Sequence, residues 1–418
     1  MIRQRLRENC AAGFRRLRFT GAIALVMGSQ LIFGAVSLWA QEPTNTTPEL
    51  NIYGFAMLDT GYETGRADPN WFDVLRPTKL PSTPTEFGAD GHYFAGVRQS
   101  RFGVKSDIPT SAGHIKTIFE FELFGTGVDA GQTTFRLRHA YGELGKFGAG
   151  QTWSPFMDID VFPNSIEYWG PNGMVFYRNV QVRYTPWSSG DSRLVVAIER
   201  PGGGGDQGIY GIQLAGVSGR FPAPDISAHF RKAGGKGHIQ IAGIYRRLNW
   251  DDANATPAQD LTGSANGWGI NVSSNIKLKK NVVRLQYVYG EGIQNYMNDA
   301  TSDVGVEASP STPTQLIVGK PLPMDGIVAF LDLNWSEKFT SSVGYSRLDV
   351  NNTDGQAGTA FKSGQYALGN ILYYPVKGVM MGPEIQWGQR EGKNGFTESD
   401  WKFQFSAKYN FNLSLGGK

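Results

Sequence analysis

The fold this sequence predicts is all-β: a transmembrane antiparallel β-barrel of 16 strands with an inward-folded constriction loop. Three observations predict it. From Trp401 the chain is aromatic or small at every second position as far as Phe411, with Lys402, Gln404, Ser406, Lys408 and Asn410 between. That run matches the roughly 9–11 residues a tilted strand needs to cross a bilayer. Composition points the same way, since 54 Gly, 25 Phe, 17 Tyr and 10 Trp with 40% hydrophobic residues suit strands and tight turns better than helices around a thick core. Finally, the two-faced strands follow an export signal. In hydrocarbon such strands must close on themselves, because an open edge leaves backbone polar groups unpaired.

The export signal spans residues 1–40. Arg3, Arg5, Arg7, Arg15, Arg16 and Arg18 face one acid, Glu8, and residues 19–39 carry no charge. A basic stretch followed by an apolar run is the pattern of a secretory signal peptide, with cleavage after Ala40 or near Ser37. A retained anchor is the other reading, which Gly21, Gly28 and Gly34 weaken. Cleavage leaves 418 − 40 = 378 residues, with 34 Lys+Arg against 36 Asp+Glu once the six arginines and one glutamate are removed from 40 and 37. The basic excess belongs to the leader, so nucleic acid is not an expected partner. Cys10 is the single cysteine and also lies there, which leaves no thiol for a disulfide or a metal.

Residues 41–49 form a short polar linker containing Pro43 and Pro48, and 50–418 form the barrel domain. The first strand is 50–62, followed by a Pro-rich extracellular loop at 68–91. The second, 97–105, places Gln99, Arg101 and Lys105 on one parity. In 115–124, Lys116, Glu120 and Glu122 oppose Ile115, Phe119 and Phe121. In 134–144, Arg136 and Arg138 oppose Phe135, Leu137 and Tyr141, with His139 on the apolar parity against the register. Strands follow at 145–152, 176–185, 192–200, 225–232, 238–250, 266–278 and 281–290. In 176–185 Gln181 and Arg183 are the polar face, and in 281–290 Arg284 and Gln286. The series ends with 327–335, 340–350, 365–374, 379–388 and 400–411. The tally is 16, with fourteen and eighteen as alternatives. Tyr287, Tyr289, Trp335, Tyr373, Tyr374, Trp387 and Trp401 stand near strand ends, where an aromatic girdle would place them.

A barrel this wide is not filled by its own wall side chains, so its lumen holds water and its use is passage. The constriction is expected at about 151–175, too apolar for a surface loop and broken by Pro155, Pro163 and Pro171. Folded inward, this segment presents Asp158, Asp160 and Glu167 to the lumen. Opposite them the wall supplies Arg101, Arg136, Arg138, Arg183 and Arg284, with Lys116, Glu120 and Glu122 completing the pore lining. Facing rows of opposite charge create a transverse field, and the arginine excess favours small anionic solutes. The plainer reading is that these groups are salt bridges that hold the loop.

Four stretches resemble the DcaP-like family of outer-membrane porins: Gln99-Ser-Arg-Phe-Gly103, the run from Thr134 to Leu144, Gly150-Gln-Thr-Trp-Ser154 and the run from Ile166 to Met174. They cover roughly 97–186, with a looser match over the rest of the mature chain. The resemblance implies a homotrimer of barrels in the bacterial outer membrane, surrounded by its lipids, with a positively lined pore for dicarboxylates and other small anions. Two departures stand out. The linker is too short and Pro-rich for the coiled coil some relatives carry, and a non-aromatic tail follows Phe411.

Other chemistry finds little support. His92, His114, His139, His229 and His238 lack zinc-site spacing, so neither a metal nor a cofactor is expected. Asp158-x-Asp160 is a weak calcium pattern without further ligands. The run Pro201-Gly-Gly-Gly-Gly-Asp206 lacks the ending of a phosphate loop. An outer-face esterase using serines near His139 or His238 is the enzyme alternative, though no motif favours it, and a filled structural or adhesive barrel is the third class.

Overall fold

The computed structural model describes residues 47–202, 216–257, 259–309 and 317–416. The expected signal peptide and its cleavage point lie outside the described residues, as do 41–46 of the linker and 203–206 of the glycine run.

Sixteen antiparallel strands close into one barrel. They are β1 (Glu49–Glu63), β2 in two parts (His92–Gly96 and Arg101–Thr110), β3 (Gly113–Phe124), β4 (Thr133–Leu144), β5 (Phe147–Trp153), β6 (Arg178–Ser189), β7 (Ser192–Glu199) and β8 (Asp225–Gly234). After them come β9 (Gly237–Asp252), β10 (Gly263–Leu278), β11 (Asn281–Glu291), β12 (Pro323–Asn334), β13 (Phe339–Val350), β14 (Phe361–Asn370), β15 (Val379–Gly392) and β16 (Thr397–Gly416). Closure comes from β1, which pairs along one side with β16 and along the other with both parts of β2. Each predicted strand is present. Sequence patterning missed two small additions: a hairpin of Val304–Ala308 with Ile317–Pro321, and Val217–Arg220 on the end of β9.

Tight turns join the strands at one end and long loops at the other. Gly145 and Gly190 take φ of 60° and 58° in two such turns, a conformation that costs glycine nothing. Alternation is strict where it was clearest: Trp401, Phe403 and Phe405 are 47%, 47% and 43% exposed on the outer face, whereas Lys402, Gln404 and Ser406 point inward and are buried.

Two irregularities redirect side chains. Residues 97–100 interrupt β2, and Ser100 stitches the gap by accepting from the Met57 amide at 3.0 Å. The break turns Arg98 inward to Asp73 at 2.6 Å. In β4, Glu120 pairs with His139 while Phe121 pairs with Leu137, so Arg138 is an extra residue, a β-bulge. The bulge puts Arg138 and His139 on the same inner side, which resolves the register conflict at His139. It also corrects the expectation for Tyr141: beyond the bulge the parity flips, and Tyr141 lies under Arg183 inside the barrel, away from Phe135 and Leu137.

The interior is filled on one side only. Loops 64–91, 154–177 and 292–322 send Leu75, Leu80, Phe156, Met157, Val161, Ile293 and Tyr296 against inward apolar residues of β9 and β11–β14, among them Ile244, Val288, Phe330, Leu348 and Leu368. Strands β2–β6 carry the charged inner wall instead.

Candidate pore constriction

The two carboxylates of β3, Glu120 and Glu122, organise the inner wall. Alternation sends both inward between the outward Phe119 and Leu123, and antiparallel pairing with β2 and β4 brings arginines beside them. Arg138 reaches Glu120 at 2.6 Å and Glu122 at 2.5 Å. Arg101 lies 3.7 Å from Glu120 and 3.4 Å from Glu122, Arg136 is 3.6 Å from Glu122, and Arg178 from β6 is 3.8 Å from it. Tyr53 donates to Glu120 at 2.7 Å. From the constriction loop Tyr168 donates to Glu122 and accepts from Arg136 at 3.0 Å, its ring stacked on Phe124 at 3.8 Å.

Four guanidinium groups therefore surround two carboxylates. The Glu122 side chain is fully buried while those of Arg101 and Arg136 stay 25% and 30% exposed, so positive charge is the part that meets water. Arg101 Nε and Arg178 Nη1 are buried without a hydrogen-bond acceptor in the protein, so the cluster meets water through the exposed parts of Arg101 and Arg136.

The acids of the loop have a different place from the one expected. Asp158 and Glu167 do not front open water, because each is buried against a wall cation. Asp158 binds His238 at 2.6 Å, Ser273 at 2.7 Å and Arg231 at 3.2 Å. Glu167 binds Lys402 at 2.7 Å and the Leu75 amide at 3.3 Å. Burial acts to raise the Asp158 carboxyl, and the hydrogen bonds from His238 and Ser273 with the charge of Arg231 overcome it, holding it below its ordinary range. Only Asp160, bound to Arg231 at 2.5 Å, keeps a half-exposed side chain. The loop acids and the arginines of β2–β4 thus form separate clusters rather than facing rows. A charge at the loop has to be matched where it is buried, and the nearest wall cations supply that match.

The remaining predicted residues are spread along the wall. Arg284 pairs with Asp332 at 2.6 Å and donates to the Asp160 carbonyl. Arg183 donates to Gln181 and to the Trp153 carbonyl at 2.6 Å. Lys116 is exposed near the tight-turn end, in a cavity of about 620 Å³ shared with Lys105, Tyr53 and Tyr141. On the long-loop side a second cavity, about 590 Å³, is lined by Arg76, Lys79, Arg136, Arg178, Tyr168 and Trp169. The arginine cluster touches both, through Arg136 above and through Tyr53 below. Asp158, Asp160 and His238 converge closely enough to hold an ion, yet Arg231 already bridges both carboxylates.

Sequence reasoning missed Arg178, Arg231, His238, Lys402, Tyr168 and Arg76. Lys402 was legible as a charge on the inner parity of β16. The others needed three-dimensional neighbours: Arg76, for example, is bound to Asp299 at 2.9 Å and lies over the rings of Trp71 and Trp169.

The profile of the family described as DcaP outer membrane protein matches residues 91–411. No curated protein matches the chain. Among solved structures, the outer membrane channel DcaP of Acinetobacter baumannii superposes with a TM-score of 0.72 at 20% identity, covering 89% of this chain and 100% of that one. An anion-selective porin from Comamonas acidovorans gives 0.54 at 10% identity, over 87% of this chain and 100% of that one. OmpTdeltaL8, a loop-deletion mutant of an outer membrane protein of Vibrio cholerae, gives 0.53 at 14%, over 87% and 99%. At these identities the structural likeness is one of fold.

Proposed function

This chain belongs to the DcaP outer membrane protein family, a channel of the bacterial outer membrane, and from that premise we propose that it passes small anions, dicarboxylates among them, in preference to cations. One observation carries the reading. On the wall of β2–β6 four arginines surround two buried glutamates, and the two most exposed members of the group are Arg101 and Arg136. An exposed cation in a narrow, low-dielectric passage lowers the energy of an anion there and raises that of a cation. A dicarboxylate gains twice, since Arg76 and Lys79 line the outer cavity that Arg136 also borders. Homotrimeric assembly is part of the proposal and rests on the family likeness.

The esterase alternative loses its residues. His139 binds Thr152 at 3.0 Å and His238 binds Asp158, and both rings are buried inside the barrel rather than set on its outer face. The test is a planar-bilayer recording of purified protein in a salt gradient. The expected result is a reversal potential of anion-selective sign, shifted toward zero by Arg101→Ala with Arg136→Ala. Unchanged selectivity in the double variant would remove the arginines from the explanation.

A further inference from the structure

The outer face of β12–β16 carries a built feature that permeation does not use. Cross-strand pairing aligns its outward residues in rows. Leu331, Val343, Gly369, Ile385 and Phe403 form an apolar row. Two residues nearer the long loops stand Tyr345, Ala367, Trp387 and Trp401. The next row holds Arg347, Gln365 and Gln389, and the last holds Asp325, Asp349 and Glu391 with the bulged Lys362 beside it. Apolar, aromatic, hydrogen-bonding and charged rows in that order trace the passage from hydrocarbon to headgroup.

At the apolar row the surface is hollow. A groove of about 770 Å³ runs between Tyr62, Phe403 and Phe405 on one side and Val343 and Ile371 on the other, with Gly369 in its floor. A Cβ added at Gly369 would meet nothing within 4 Å. Hydrocarbon alone does not select an occupant, because an acyl chain is as apolar in bulk lipid as in the groove; residence depends on fit and on the headgroup. The headgroup rows answer that requirement. The Arg347 and Lys362 side chains are 48% and 49% exposed, each bound to one carboxylate at 2.6 Å, Asp349 and Glu391. Tyr345, Gln365 and Gln389 form a hydrogen-bonded chain between them at 2.7 and 2.9 Å.

We propose that this groove holds one acyl chain of a phosphorylated glycolipid of the outer leaflet, of lipid A chemistry, with its phosphate on Arg347 and Lys362. The long loops mark the extracellular end of a bacterial barrel, so these rows face the outer leaflet. Arg347 and Lys362 are each ion-paired and Asp325, Asp349 and Glu391 outnumber them, so a divalent cation is required to bridge these carboxylates to the same phosphate. A zwitterionic phospholipid offers the chain but not the net negative headgroup.

The test uses the full mature barrel, delipidated in detergent and titrated by native mass spectrometry in magnesium-containing buffer with lipid A or with phosphatidylethanolamine. Wild type is expected to retain one lipid A per chain and to prefer it at least tenfold. Gly369→Phe, which fills the groove, and Arg347→Gln with Lys362→Gln should each lose that retention while conductance stays at the wild-type value. Equal retention of the two lipids, or retention of lipid A by Gly369→Phe, would overturn the proposal. So would efficient cross-linking between copies through Gly369→Cys, which would place a second chain on the groove.

Discussion

Glu122 is the residue on which the constriction balances. Arg101, Arg136, Arg138 and Arg178 all lie within 4 Å of it, and its side chain has no exposure to water. Removing one partner of a buried ionic group leaves the others uncompensated, at a cost of about 3 kcal/mol or more. Glu122→Gln is therefore expected to lower stability by about that amount, read as an earlier midpoint in urea unfolding, and to strengthen anion preference among the channels that fold. An unchanged midpoint would mean that water already compensates the cluster. At this scale the sequence was informative about pairs and silent about the third partner. Glu120, Glu122, Arg136 and Arg138 could be read from parity alone, whereas Tyr168 and Arg178 arrive from the constriction loop and from β6, with nothing in local spacing to announce them.

The constriction loop, residues 154–177, is the element whose behaviour depends most on these contacts. Asp158 ties it to β8, β9 and β10 through Arg231, His238 and Ser273. Its carboxyl sits lower in the folded protein than the roughly 3.9 of an unfolded chain, so its contribution is fully present above that value and is lost as pH falls through the folded one. Single-channel conductance should hold steady from neutral pH down to about 4 and become larger or noisier below it, as the tether weakens. Asp158→Asn should show the acid behaviour already at pH 7; a variant with wild-type traces would mean that the tether does not restrain the loop. The loop also leans on the wall through its backbone. A Cβ at Gly173 would stand 2.2 Å from the Arg347 carbonyl and 2.8 Å from that of Ile327. Gly173→Val must push the segment off β12–β13, and the expected outcome is a larger conductance with an intact barrel on heat-modifiability gels. The inward fold of this loop was legible from its apolar, proline-broken composition. Its partners were not, because burial reassigns which charges need matching, and the β4 bulge was visible only as a misplaced His139.

At the scale of the whole molecule the barrel has two unlike halves. Along β9 and β11–β14 the inner face carries an apolar patch covered by three loops, while β2–β6 present charge to water. That asymmetry left a trace in the sequence that strand counting passed over. In β12, Val328 and Phe330 point inward while Ile327 and Leu331 point outward, so both faces are apolar, the mark of a strand buried on two sides rather than one facing an open lumen. On the proposed reading selectivity rests on Arg101 and Arg136, the partly exposed arginines of that wall, and such charges act through a screened field. The Debye length falls from about 10 Å at 0.1 M salt to about 3 Å at 1 M, so at high salt a wall charge acts only on ions that come close to it. The anion-to-cation permeability ratio should therefore drop severalfold between those concentrations, measured as reversal potentials at a fixed gradient. Buried pairs such as Arg138 with Glu122 are shielded from the ions, so urea midpoints should barely move over the same range. A ratio independent of salt would instead point to direct coordination, with each anion stripped of water and held by the partly exposed guanidinium groups of Arg101 and Arg136. In that case Arg136→Lys, which keeps the charge and loses the fork of donors, should reduce selectivity as much as Arg136→Ala does.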